Sequence, residues 1–143
     1  MNRAILAGSV IVGIAVMLST STIPTSYGGL PPTGISIDIK PGSDPNSINT
    51  NSMGLVPVAI LGSAEFDVTQ VDVSTLTFKP GQASPKHNGH LEDVNGDGLI
   101  DLVTHYVQKD TGIQIGHTQA CLSGQTFGGQ GIGGCDSIVT VPP

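Results

Sequence analysis

The densest coordination chemistry in this sequence lies in one run of residues, Asp93-Val94-Asn95-Gly96-Asp97-Gly98-Leu99-Ile100-Asp101. Oxygen-bearing side chains stand at positions 1, 3, 5 and 9 of the run, and position 6 is glycine. That alternation lets a coiling loop turn carboxylate and amide oxygens toward one hard cation, and the glycine permits the sharp bend. The carbonyl of Leu99, at position 7, adds a further oxygen. An all-oxygen set suits Ca²⁺ better than Zn²⁺, which prefers sulfur and nitrogen, or Mg²⁺, which demands a tight octahedron. Ca²⁺ is therefore the expected ion, with Asp93, Asn95, Asp97, Leu99 and Asp101 as its expected ligands. An EF-hand would place a bidentate glutamate at position 12, which is Thr104 here, and the residues that follow the loop read as a strand. The pattern is thus a calcium loop set between strands. A missing ligand would come from elsewhere in the fold, with Glu92 and Asp38 as candidates, or from water. The competing reading is a plain Asp/Asn/Gly turn, since those residues favour turns without any ion.

Other reactive side chains are more dispersed. His87 and His90 are spaced i, i+3, a zinc-binding spacing on a helix, but Pro85-Lys86-His87-Asn88-Gly89-His90 cannot be helical. His105 and His117 fall on later strand candidates, and no histidine metal site is expected. Asp67 and Asp72 could in principle act as a glycosidase pair, although nothing in the sequence marks them as buried. No serine sits in a nucleophile elbow, and no glycine-rich loop leads from a strand into a helix to hold phosphate. The expectation is a protein that is not an enzyme.

The elements that must position the loop have period two. Ile35, Ile37 and Ile39 alternate with Ser36, Asp38 and Lys40, which places the isoleucines on one face of a strand. Further strands are predicted over residues 55–61, 75–78, 100–107, 113–122 and 137–141, separated by clusters of Gly, Pro, Asn, Asp and Ser. Pro57 cannot donate a ladder hydrogen bond, so its strand should be an edge or begin at Val58. Short strands with turn-rich connections and no helical stripe predict an all-β fold, an immunoglobulin-like antiparallel β-sandwich with an inserted calcium loop and one disulfide. The aromatic residues are Tyr27, Phe66, Phe78, Tyr106 and Phe127, so the core must rest on Val, Ile and Leu.

The N-terminus orders the chain into an address and a domain. After Arg3, residues 4–18 carry no charge, which fits a basic n-region and an apolar h-region of an export signal. Residues 1–28 are read as a signal peptide, with an uncleaved membrane anchor as the competing reading. Residues 29–34, with Pro31, Pro32 and glycines, read as a linker, and residues 35–143 as the β-sandwich domain. Beyond the signal, Lys40, Lys79, Lys86 and Lys109 stand against 11 acidic residues, a formal charge of −7. That balance disfavours nucleic acid and anionic lipid, which need cationic contacts, and favours cations as partners. Cys121 and Cys135 lie in the exported half, where thiols tend to oxidise, so they are expected to form a structural bridge. A metal site or a catalytic thiol would want further partners.

Taken together, several segments resemble a domain of exported bacterial and archaeal proteins that occurs alone or as one module of larger surface proteins. They are Ile37-Asp38-Ile39-Lys40-Pro41-Gly42-Ser43-Asp44-Pro45-Asn46, Val56-Pro57-Val58-Ala59-Ile60-Leu61, Phe66-Asp67-Val68 with Val71-Asp72, and His90-Leu91-Glu92-Asp93-Val94-Asn95-Gly96-Asp97-Gly98. The last are Ala120-Cys121-Leu122 and Gly134-Cys135-Asp136, so the resemblance spans residues 35–141. It implies an accessory, structural or adhesive module with a calcium loop and a bridge within the final hairpin region. The expected function is a secreted or cell-surface, calcium-stabilised binding or structural module. Its expected partners are the calcium ion and other surface proteins or glycans, with no nucleic acid and no membrane after signal cleavage. One alternative is a filament or sheath subunit in which a terminal strand such as residues 137–141 pairs with a neighbour by strand addition. Another is a small hydrolase.

Overall fold

The computed structural model describes residues 31–142. The expected signal, residues 1–28, and residues 29 and 30 of the expected linker lie outside the described residues. No helix among the described residues is long and apolar enough to cross a membrane.

Among the described residues ten strands follow in order: β1 (Thr33–Gly34), β2 (Ile37–Ile39), β3 (Ser47–Asn49), β4 (Leu55–Ile60), β5 (Val71–Lys79), β6 (His90–Glu92), β7 (Asp101–Val107), β8 (Gln119–Thr126), β9 (Gly131–Ser137) and β10 (Val139–Val141). One sheet has the order β1-β9-β8-β5, the other β2-β4-β7-β6, and β3 pairs with β10 in a short ribbon. The period-two pattern is the cause of the layering. Ile37 and Ile39 of β2, Val56, Val58 and Ile60 of β4, and Leu102 and Tyr106 of β7 share one core with the other sheet. That sheet contributes Leu76 and Phe78 of β5, Ala120 and Leu122 of β8, and Ile132 of β9. The Phe78 and Tyr106 rings stack across the core, 5.0 Å apart. Thr104 Oγ1 donates to the Tyr106 hydroxyl at 2.9 Å, and burial pushes that hydroxyl's pKa up to about 12. The chain is therefore an all-β sandwich.

Several local expectations differ from the structure. Thr33–Gly34 falls in the expected linker yet forms β1, pairing in parallel with Ile132 and Gly133. β10 also pairs in parallel, with β3, so the sandwich is not purely antiparallel. The strand expected over residues 113–122 begins only at Gln119. Ile113 is buried but Ile115 is 59% exposed, and Gln114 donates its N–H to His117 Nδ1 in a turn. β9 escapes the alternation rule because Gly131, Gly133 and Gly134 carry no side chain to alternate. At Gly134 the Ile35 carbonyl approaches so closely that a Cβ would not fit. Pro57 is not on an edge strand, because β4 lies between β2 and β7. Its carbonyl accepts the Lys40 N–H at 2.8 Å, so its missing donor faces the side on which β2 has already ended at Ile39.

Cys121 and Cys135 are bonded and stand directly opposite each other in the β8–β9 register. Their neighbours Ala120 and Leu122 are buried, whereas Cys135 is exposed. The bridge therefore fastens two neighbouring strands on the outer face of one sheet and does not cross the core.

Candidate metal loop and its surroundings

The loop between β6 and β7 is wound by its first carboxylate. Asp93 Oδ1 accepts the N–H groups of Gly96 at 2.9 Å and Asp97 at 3.2 Å, and Oδ2 accepts that of Gly98 at 2.9 Å. Asn95 Oδ1 accepts from the Asp97 N–H at 3.2 Å, and Asp97 Oδ1 from the Leu99 N–H at 2.9 Å. These bonds pull successive amides inward around one residue, which demands a left-handed backbone at Gly96 (φ 73°) and Gly98 (φ 87°). Glycine at position 6 thus has the role its spacing predicts.

Asp101 holds the loop from its far end. Its side chain is fully buried, its Oδ1 accepts the Gly62 N–H at 2.8 Å, and its Oδ2 accepts the Val94 N–H at 2.9 Å. One carboxylate therefore joins the start of the loop, the end of β4 and the first residue of β7. Gly62 is required for this approach, because a Cβ there would collide with the Ile100 carbonyl.

Of the five expected ligands, Asp93, Asn95 and Asp97 are brought into one hydrogen-bonded coil. Asn95 and Asp97 line a cavity of about 230 Å³ with Ser36, Leu61, Gly62, Ser63 and Phe66. The donor chemistry there, carboxylate, amide and hydroxyl oxygen, suits a hard cation. Asp101 is turned toward backbone amides, and Leu99 presents its N–H to Asp97. Among the described residues, no three His, Cys, Asp or Glu side chains are gathered as a metal centre. Neither Glu92 nor Asp38 lines the cavity shared by Asn95 and Asp97. Glu92 Oε1 bonds His90 Nε2 at 3.0 Å.

Asp38 faces a different region, a cleft of about 500 Å³ lined also by Asp44, Asn46 and Asp136. Asp136 Oδ2 accepts the Ile39 N–H and the Asn46 amide, both at 2.9 Å, which ties β9 to β2. Burial raises the Asp38 pKa above the ordinary carboxylate value, and the charges of Asp136 and then Asp101 raise it further. Sequence reasoning missed Asn46, Gly62 and Asp136 as partners of these acids, since only the long-range strand register brings them together.

The two acids weighed as a catalytic pair are both occupied locally. Asp67 Oδ1 accepts from the N–H and hydroxyl of Thr69 at 2.9 and 2.7 Å, and these bonds lower its pKa. Asp72 Oδ1 does the same for Ser74, at 3.1 and 2.6 Å. Each closes a turn of its own backbone.

No described protein family and no curated protein matches the chain. Among solved structures it is similar to AggA, the major subunit of aggregative adherence fimbriae type I from Escherichia coli. The identity is 10% over 76% of this chain and 94% of that one, with a TM-score of 0.24.

Proposed function

We propose that this chain is an exported, non-catalytic surface or secreted module whose fold is stabilised by one Ca²⁺ held in the loop of residues 93–101. The observation that carries the reading is the winding of that loop. Asp93 gathers three backbone amides, Asn95 and Asp97 line a cavity with Ser36 and Ser63, and buried Asp101 fixes both ends. In this reading Asp93, Asn95 and Asp97 hold the ion, with the Leu99 carbonyl adding an oxygen and Asp101 locking the frame. Bound Ca²⁺ would neutralise the crowded carboxylates of the turn. A bridge on the sheet surface fits an oxidising compartment, and the surplus of acid over lysine fits partners other than nucleic acid. Other surface proteins or glycans are the macromolecular partners this reading favours.

The test is a pair of thermal melts, in millimolar Ca²⁺ and in chelator, with calorimetric titration of the ion. A higher melting temperature with Ca²⁺ and a stoichiometry of about one are expected. An unchanged melting temperature together with no heat of binding overturns the reading.

A second reading, a subunit that assembles by strand addition, is favoured by the ribbon at the C-terminus. Among the described residues β10 has β3 as its one strand partner, and its other edge is the place where a neighbour's strand would add. Electron microscopy of the secreted material separates the readings: regular filaments support assembly, and dispersed particles support the independent module.

A further inference from the structure

The disulfide on the outer face of the β1-β9-β8-β5 sheet belongs to a longer row of side chains. Cys121 of β8 stands opposite Cys135 of β9 on one side and opposite Lys79 of β5 on the other. Directly opposed residues of an antiparallel ladder project to the same face, so Lys79, Cys121 and Cys135 stand side by side across three strands. The two ends of the row differ. At one end Lys79, His117 and Cys121 line a cavity of about 210 Å³. Among the described residues no carboxylate pairs with the Lys79 ammonium. His117 Nδ1 accepts the Gln114 N–H at 3.1 Å, which leaves Nε2 to carry the proton of the neutral ring. At the other end the face is open. β1 accompanies β9 only to Gly133, and among the described residues no strand lies beyond Cys135. Gly133, the next residue of β9 on that face, has no side chain, and Cys135 is exposed where Cys121 is half-buried.

We infer that this bridge is a thiol-exchange site with a set direction: the thiolate of a low-molecular-weight thiol attacks Cys135 Sγ, Cys121 leaves, and Cys135 becomes the S-thiolated residue. An attacking sulfur approaches along the extension of the S–S bond, and here that line is the row itself. From the Cys135 end the line runs out past an edge with no neighbouring strand, whereas from the Cys121 end it runs into the Lys79 side chain. As the new bond forms between the incoming sulfur and Cys135 Sγ, the Sγ–Sγ bond breaks and its electron pair departs on Cys121 Sγ. The incoming thiol is oxidised to the mixed disulfide and Cys121 is reduced to a thiolate, so no further oxidant or reductant enters. Negative charge develops on Cys121, beside the Lys79 ammonium and in the cavity that His117 shares, which stabilises the leaving sulfur. The reverse direction lacks that support. A thiolate leaving from Cys135 lies two strands from Lys79 and directly before Asp136 in the chain. The exchange uses no residue of the calcium loop and stands apart from that reading.

The test incubates the oxidised chain with reduced glutathione, quenches early samples with N-ethylmaleimide and maps both cysteines by mass spectrometry. Glutathione on Cys135 with maleimide on Cys121 is the expected product, formed at a rate proportional to glutathione and unchanged by urea below the unfolding transition. Lys79→Met should slow the exchange about two- to fivefold, the range of an exposed charge pair, and Lys79→Arg should restore it. In about 1 M NaCl the parent and Lys79→Met should react alike, because salt screens the ammonium. Lys79 is exposed at the end of β5, so its variants keep the fold. The inference fails if glutathione leaves the bridge intact, if the adduct forms on Cys121 or equally on both cysteines, or if Lys79→Met reacts like the parent at low salt. A rate that climbs with urea below the transition also overturns it, since the bridge would then open only in unfolded chains.

Discussion

In the loop of residues 93–101 each carboxylate accepts backbone amides: three reach Asp93, one reaches Asp97, and two reach Asp101. In the cleft between β2 and β9 only one of the two facing acids is held in that way. Asp136 is held by the Ile39 N–H and Asn46, but Asp38 meets the negative charges of Asp136 and Asp101, and the ammonium of nearby Lys40 goes instead to the Ser47 carbonyl at 2.6 Å. Acid density alone therefore does not distinguish an organised anionic site from a strained one. What distinguishes them is that backbone amides converge on every carboxylate of the loop, whereas Asp38 in the cleft faces carboxylates of like charge.

The sharpest way to break the comparison is to remove the fully buried carboxylate of the loop. Asp101→Ala orphans one buried and one partly buried N–H group and should lower the unfolding free energy by about 3 to 4 kcal/mol. Urea denaturation in chelator measures it without any contribution from bound ion. A loss below about 1 kcal/mol would mean that Asp101 is not the clamp.

The bridge offers a contrast on the opposite sheet, because Cys135 directly precedes Asp136 and so steadies the cleft and not the loop. It closes a segment of about 15 residues, so the Cys121→Ser, Cys135→Ser double variant should lose on the order of 3 kcal/mol in the chain-entropy account. Its Ca²⁺-dependent rise in melting temperature should remain that of the parent. If the rise disappears, the two regions are coupled and the contrast is wrong.

A smaller effect belongs to the ion. Extracellular calcium modules bind with dissociation constants of roughly 10⁻⁴ to 10⁻³ M, so about 1 mM Ca²⁺ should add roughly 0.4 to 1.4 kcal/mol. Asp97→Ala should abolish that increment, whereas Asp44→Ala, in the cleft, should leave it intact. Equal losses in both variants would reduce the loop to generic cation attraction by an acidic domain.

How much of this was legible in the sequence depended on sequence distance. The loop could be read because its oxygens and glycines lie within one short run, and the bridge because only two cysteines exist to form it. β2 announced itself through alternation, with Ile37 and Ile39 around Asp38. β6 did not, because His90, Leu91 and Glu92 are all exposed and no buried face imposes a period. β9 was hidden by its glycines. The amide of Gly62 beneath Asp101, 39 residues away, and the contact of Asn46 with Asp136, 90 residues away, arise from sheet register, which local pattern cannot supply.

The gentlest test of the comparison titrates the cleft. Asp38 has a folded pKa above the 3.8 of an unhindered carboxylate, owing first to burial, then to Asp136 and Asp101. Between 3.8 and that raised value, the folded chain binds more protons at this position than the unfolded chain, so stability falls as pH rises through the window. At neutral pH the charged Asp38 therefore works against the fold. Asp38→Asn keeps the shape and removes the charge, so it should raise the melting temperature at pH 7 in chelator, by less than any of the changes above. Because Asp38 is only half-buried, solvent screens most of the repulsion. As pH drops toward 3.8 the parent carboxylate takes up its proton in both states, and the advantage of the asparagine should shrink to nothing. Melts of the two proteins from pH 3 to pH 7 measure the difference directly. A variant less stable at pH 7, or a gain that persists undiminished at pH 3, would show that Asp38 holds its place by hydrogen bonding or ion binding, and that the cleft is as organised as the loop.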